Sequence, residues 1–422
     1  MSALSLSRDE FADALRKGKG RAVQHIRAHG DSGVEDLLLE ACVRCQNYDP
    51  QCEGYRGDWL MGMLAMLPNA PRYHDVILRA FPDSTKAHDV EQMARMLEGL
   101  AEQGREEARG ALYSKFDRQE FREDWTLSLR LISLDGIEGL LHVARVLGRR
   151  LASDADFWMS GYLQHVVDEQ FGAEAVDAAL RSAAIGDPDV RRFHDDLREA
   201  ATEPVRGVPY SLDSYLADLA LGGRKTRLVA QRFARYGSDS DHHALFELIE
   251  READASRLAS MLRVFSGRVD PPGGADRVLR FARHADPAVR AVAIDVLRRF
   301  RDERVADLSQ DLLAAGSLEG MKLLAENSRP GDFKRAHALL PTVTDDEQAH
   351  DLALSIISIG QPLPDPEAAD CLVWVYEQNP CSFCRQSAVD DLIKLDRLPE
   401  ALATEGLDDC MSEIREAVAA AR

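Results

Sequence analysis

Two cysteines three residues apart, Cys381 and Cys384, follow Pro380 in the stretch NPCSFCRQSAVDDLIKL. Cys-x-x-Cys admits three chemistries: half of a zinc site, a dithiol–disulfide pair, or two small apolar side chains in a core. Zinc needs further ligands, and Cys371 and Cys410 on neighbouring segments are the candidates. A redox pair needs an exposed first thiol. Pro380 suits a helix start, which would put Cys381 in the first turn, where unpaired N–H groups favour the thiolate. Core packing is the favoured reading, because both cysteines fall on the apolar stripe of the helix they open.

A second group is Cys42, Cys45 and Cys52 beside YDPQCEGYRGDWL. Cys42 and Cys45 are expected on a helix beginning near Val34, one turn apart. Asp49-Pro50, Gly54 and Gly57 mark a turn. Arg56 is expected to pair with Asp49 or Asp58 and fix that loop. Arg56 and Trp59 are therefore candidate binding residues, with a structured inter-helix loop as the alternative. The third group is the cationic stretch GRKTRLVAQRFARYG. Arg224, Lys225, Arg227, Arg232 and Arg235, with Phe233 and Tyr236, could hold a phosphate or a nucleic-acid backbone. A solvated face paired with nearby carboxylates is the simpler expectation.

Four His-Asp pairs, at His74, His88, His194 and His350, suggest metal-dependent phosphohydrolase chemistry at first sight. No metal-ligand spacing supports it. The chain also lacks a phosphate-binding Gly-x-x-x-x-Gly-Lys-Ser/Thr loop, His-Glu-x-x-His and Gly-x-Ser-x-Gly, and Gly18-Lys19-Gly20 has no preceding strand. No catalytic or cofactor-binding residue is assigned, and a non-enzyme is favoured.

The elements that must position these residues read as helices. In ADPAVRAVAIDVLRRF, Asp286 can cap a helix and Pro287 suits its first turn. Val289, Val292, Ala293, Val296, Leu297 and Phe300 then make one apolar helical stripe. The pattern recurs. Asp187, Pro188, Val190 and Arg191 stand in the same order 99 residues earlier. A shift of 95 residues places Cys384 on Val289, Arg385 on Arg290, Ala388 on Ala293 and Leu392 on Leu297. A weaker copy has Ile414 and Arg415 in the Val-Arg places. Proline and glycine turns separate these segments, and no sustained period-2 alternation appears.

Asp-Pro-x-Val-Arg opening an Ala-rich apolar helix resembles the second helix of a HEAT repeat. The resemblance spans residues 180–422 and reaches the N-terminal part only in texture. YDPQCEGYRGDWL also resembles a motif of bacterial HEAT-like proteins. The resemblance implies an all-α, right-handed α-solenoid of stacked antiparallel helix pairs, each about 40–47 residues long. Spacings near 95–99 residues would each hold two such units. Residues 1–205 form an expected N-terminal helical region and 206–422 the HEAT-like region, with one continuous solenoid as the alternative. Such solenoids imply a non-catalytic scaffold that recognises a protein through a curved surface. HEAT-like DNA glycosylases grip DNA on a concave basic surface, so a nucleic-acid-binding solenoid using Arg224–Arg235 is the second expectation. A zinc- or thiol-dependent protein is the third.

Composition sets limits on these functions. The 422 residues carry 52 basic and 72 acidic side chains, a net charge of −20. A field of that sign opposes binding to phosphate backbones and anionic membranes, and suits a basic protein partner. The longest strongly apolar run without charge, residues 352–359, is far short of the roughly 20 residues that span a bilayer. Charged residues from Arg8 onward leave no signal-like apolar segment. Seven cysteines without a secreted disulfide spacing agree with a reducing, cytoplasmic setting.

Overall fold

A computed structural model describes residues 5–50, 53, 56–118, 125–154, 157, 161–202, 210–221, 226–267, 269–359 and 366–422. Cys52, Arg224 and Lys225 lie outside the described residues. The fold is all-α: among the described residues the regular elements are α-helices and short 3-10 helices, with no strand. None of these helices is long and apolar enough to cross a membrane.

The chain divides into two compact units. The first comprises Met1–Val205 with Thr404–Glu416; the second comprises Arg206–Ala403 with Ala417–Arg422. Local sequence dictates the helices in each. Arg8–Lys17 starts at a capping box, in which Ser7 accepts from the Glu10 N–H and the Glu10 carboxylate accepts from the Ser7 N–H. Trp125–Ser153 runs as one helix except at Gly136, where φ is 59° and ψ −131°. A side chain there would strain the backbone, so glycine makes the break. RVLRFARHA departs from a single helix: Ala275–Val278 ends early, and Phe281–Arg283 is a 3-10 turn.

The second unit carries the Asp286 helix as Pro287–Leu297, and the Asp286 carboxylate accepts from the N–H groups of Ala288 and Val289. Val289, Val292, Ala293, Val296 and Leu297 are buried, each larger one contributing about 1.5–3 kcal/mol on leaving water. Three further helices of this unit matter for chemistry. They are Asp346–Ser358, Ala369–Gln378 and Ser382–Lys394, and they pack against one another.

The recurrent motif has a recurrent geometry. Arg290 donates from Nη1 to the carbonyls of His284 and Ala285. Arg415 donates in the same register to those of Asp409 and Cys410. Arg385 reaches the Pro380 carbonyl at 3.5 Å, and Arg191 reaches Ala184 and Ile185. Each arginine thus folds back over the turn before its own helix and ties down carbonyls of that turn or, for Arg191, of the end of the preceding helix. A side-chain acceptor also recurs one residue before each turn's last position. His284, Asn379 and Asp409 accept from the N–H groups of Asp286, Cys381 and Met411.

Candidate functional site

Cys381 and Cys384 sit where two of these helices meet. The helix expected to begin at Pro380 begins at Ser382, so Cys381 is the N-cap residue and not part of the first turn. The reason lies in Asn379, whose Oδ1 accepts from the Cys381 N–H at 2.8 Å. That bond holds Cys381 in extended backbone, at φ −81° and ψ 124°. The Asn379 amide also donates to the Ala349 carbonyl at 2.9 Å. One buried side chain therefore fixes both Cys381 and the backbone next to His350.

The consequence is a cluster. A ring nitrogen of His350, Cys381 Sγ and Cys384 Sγ all lie within 4.8 Å of one another. Both cysteines are buried, at 4% and 3% exposure, and His350 is half-buried. Cys384 Sγ and His350 Nδ1 stand 3.5 Å apart, within reach of a sulfur hydrogen bond whose direction follows the histidine tautomer. Burial of Cys381 removes the exposed first thiol that exchange with a substrate disulfide needs.

The other zinc candidates are placed elsewhere. Cys371 is buried on the middle helix with its Sγ 3.6 Å from the Phe333 carbonyl. Burial, with Asp370 adding to it, pushes its thiol up to about 12. Cys410 belongs to the first unit, and its N–H donates to the Gly18 carbonyl at 2.9 Å. Neither sulfur is part of the cluster. His350 is the residue that sequence reading missed in this role. It was visible as one of four His-Asp pairs, but Asp351 faces Lys322 at 4.0 Å. Only the packing of two helices brings His350 to a cysteine 34 positions downstream. The remaining His-Asp pairs do not gather: His194 bonds Asp177, not its chain neighbour Asp195.

Arg56 and Trp59 are both buried, at 4% and 8% exposure. The expected Arg56 partners, Asp49 and Asp58, are not the ones it takes. Arg56 pairs with Glu53 at 3.3 Å and donates to the carbonyls of Leu15 and Arg16. Asp58 instead binds Arg95. A helix starting at Arg56 turns its guanidinium toward the open carbonyl end of Arg8–Lys17, which no loop carboxylate could satisfy. Trp59 donates from Nε1 to the Asp408 carbonyl at 2.9 Å. Cys42 is buried on Glu35–Val43, and its thiol is pushed up to about 12 by burial. Cys45 falls beyond that helix, not on it, because its N–H bonds Asp89.

Of the cationic stretch, the described part is the helix Thr226–Tyr236. Arg227, Arg232 and Arg235 are exposed. Arg232 lies 4.4 Å over the Tyr210 ring and Arg235 5.2 Å over Tyr236. Aromatic faces, not the expected carboxylates, are their partners among the described residues.

No family model matches the chain, and no curated protein matches it. A crystal structure of an engineered protein is similar over 98% of this chain and 93% of that one, at 13% identity. Its TM-score of 0.19 is too low to carry an argument about fold.

Proposed function

We propose that the chain is a non-catalytic, cytoplasmic α-solenoid of HEAT-like helix pairs that binds a basic protein partner. The observation that carries this reading is the repeated capped turn. Four segments separated along the chain reuse one arginine fold-back, and three of them also share a side-chain acceptor that caps the turn. Repetition of a single helix-pair unit is how solenoids are built, and their function is recognition through stacked surface. The net charge of −20 favours a cationic partner by steering and by complementarity.

A second reading is supported by one specific feature, the exposed Arg227, Arg232 and Arg235, which would suit a phosphate backbone. One experiment separates the two. The full-length protein is used as bait at low salt, and bound material is eluted with a salt gradient. A stoichiometric basic protein that leaves with rising salt and rebinds after purification supports the first reading. Recovery of nuclease-sensitive nucleic acid, with loss on Arg227→Glu and Arg232→Glu, overturns it in favour of the second.

A further inference from the structure

His350, Cys381 and Cys384 present three ligand atoms with the spacing of a soft-metal site. Tetrahedral zinc with bonds of about 2.3 Å to sulfur and about 2.0 Å to nitrogen places S and N about 3.5 Å apart. Cys384 Sγ and His350 Nδ1 stand at 3.5 Å. The same geometry sets two sulfurs about 3.8 Å apart, and the whole triad closes within 4.8 Å.

Three features besides distance favour a cation. The ring atom nearest the Cys384 sulfur is a nitrogen, Nδ1, which presents a lone pair to the cluster in the Nε2–H tautomer. Cys381 and Cys384 occupy the N-cap and third positions of a 13-residue helix, so one helix start presents both sulfurs to the same point. Asn379 bonds the Ala349 carbonyl and the Cys381 N–H at once, which holds the two ligand-bearing segments in fixed register. Such outer bonds orient ligands before a metal arrives. Thiolate and imidazole together select zinc over the hard cations magnesium and calcium.

We propose that this cluster binds one zinc ion through His350 Nδ1, Cys381 Sγ and Cys384 Sγ, with water in the fourth position. Binding converts two thiols to thiolates and releases two protons to solvent, while the histidine stays neutral and no electron is transferred. The ion then ties the helix Asp346–Ser358 to the start of Ser382–Lys394.

The test uses the full-length protein purified under reducing conditions. Zinc is expected at one equivalent per chain. Cobalt exchanged into the site should give thiolate-to-cobalt bands in the near ultraviolet and intense visible bands of a tetrahedral ion. His350→Ala, Cys381→Ser and Cys384→Ser should each take the metal from one equivalent to none. Cys371→Ser and Cys410→Ser should keep it. X-ray absorption at the zinc edge reads the wild-type site independently of any variant's folding, and two sulfur and two nitrogen or oxygen neighbours are expected. Absence of bound zinc together with no thiolate band on adding cobalt overturns the proposal. Six-coordinate cobalt without thiolate bands marks an adventitious ion and also overturns it. A Cys381–Cys384 disulfide in rapidly alkylated cell extract would replace the metal site with a redox pair.

Discussion

Arginines do much of the joining in this protein, and they do it through backbone carbonyls as well as through carboxylates. Arg56 is the most buried case in the first unit. Its guanidinium serves two carbonyls at the end of Arg8–Lys17 and the Glu53 carboxylate, all away from water. Removing one partner of a buried pair leaves the other charge uncompensated, which typically costs about 3–5 kcal/mol. Arg56→Ala should therefore lower stability by about 3 kcal/mol in a urea titration, and Arg56→Lys should recover only part of it, since an ammonium cannot reproduce the fork. An unchanged midpoint would remove Arg56 from this role. At this scale sequence reading is uneven, for a physical reason. The Val-Arg pair of Val289 and Arg290 is legible because its partners lie within six residues. The partner of Arg56 on Arg8–Lys17 and the approach of His350 to Cys384 are set by packing between distant segments. Local spacing carries no record of either.

At the level of elements, the helices were legible where caps and apolar stripes agree, as at Asp286 and Ser7, and less so where they do not. RVLRFARHA has helical spacing but breaks after Val278. The helix starts two positions later than Pro380, at Ser382, because the Asn379 side chain caps the turn and holds Cys381 extended. Charge between helices was not legible at all, and Glu98 shows why it matters. Its side chain, fully buried on Ala87–Glu102, accepts from Arg95 at 2.6 Å and from Arg130 of Trp125–Ser153 at 2.7 Å. Burial by itself pushes this carboxyl up. The Arg130 charge, with bonds from Ser133, Arg130 and Arg95, outweighs it and holds the group below the usual glutamate range. A carboxyl lowered on folding stabilises above its unfolded value, about 4.3, and that contribution is lost as pH falls through the lower folded value. The stability of the wild-type protein should therefore fall as pH drops below about 4. Glu98→Gln should flatten that part of the profile and cost about 2 kcal/mol at pH 7, the scale of hydrogen bonds to charged groups. A parallel acid profile in the variant, measured by chemical unfolding at several pH values, would refute the assignment.

For the whole molecule, the division into units does not follow the order of the chain. The first unit is completed by Thr404–Glu416, far downstream in sequence. That segment is held by Arg21 on Glu405, Arg27 on Asp408, Trp59 on the Asp408 carbonyl and the Cys410 N–H on Gly18. The Arg27–Asp408 pair is half-exposed on its arginine and contributes little, whereas Glu405 is buried under a two-point contact from Arg21. The decisive feature is the closeness of two backbones at Gly18-Lys19-Gly20, a stretch that lacks the preceding strand of a phosphate loop and whose glycines receive this segment. A Cβ on Gly20 would lie 2.0 Å from the Glu405 carbonyl oxygen and 2.9 Å from the Asp408 carbonyl carbon. Both atoms are backbone and cannot rotate aside. Gly20 opens a helix, where alanine is ordinarily neutral or favourable by up to about 1 kcal/mol. Propensity and packing thus predict opposite signs for Gly20→Ala. If packing governs, the substitution displaces Thr404–Glu416. Amide hydrogen exchange in that segment should then accelerate at least tenfold, and the thermal midpoint should fall. Gly30→Ala supplies the contrast, because no atom lies near its Cβ and only its left-handed backbone, at φ 68°, is strained. It should lower stability without selectively freeing Thr404–Glu416. Slower or unchanged exchange in Gly20→Ala would mean that the carboxy-terminal segment is not what closes the first unit.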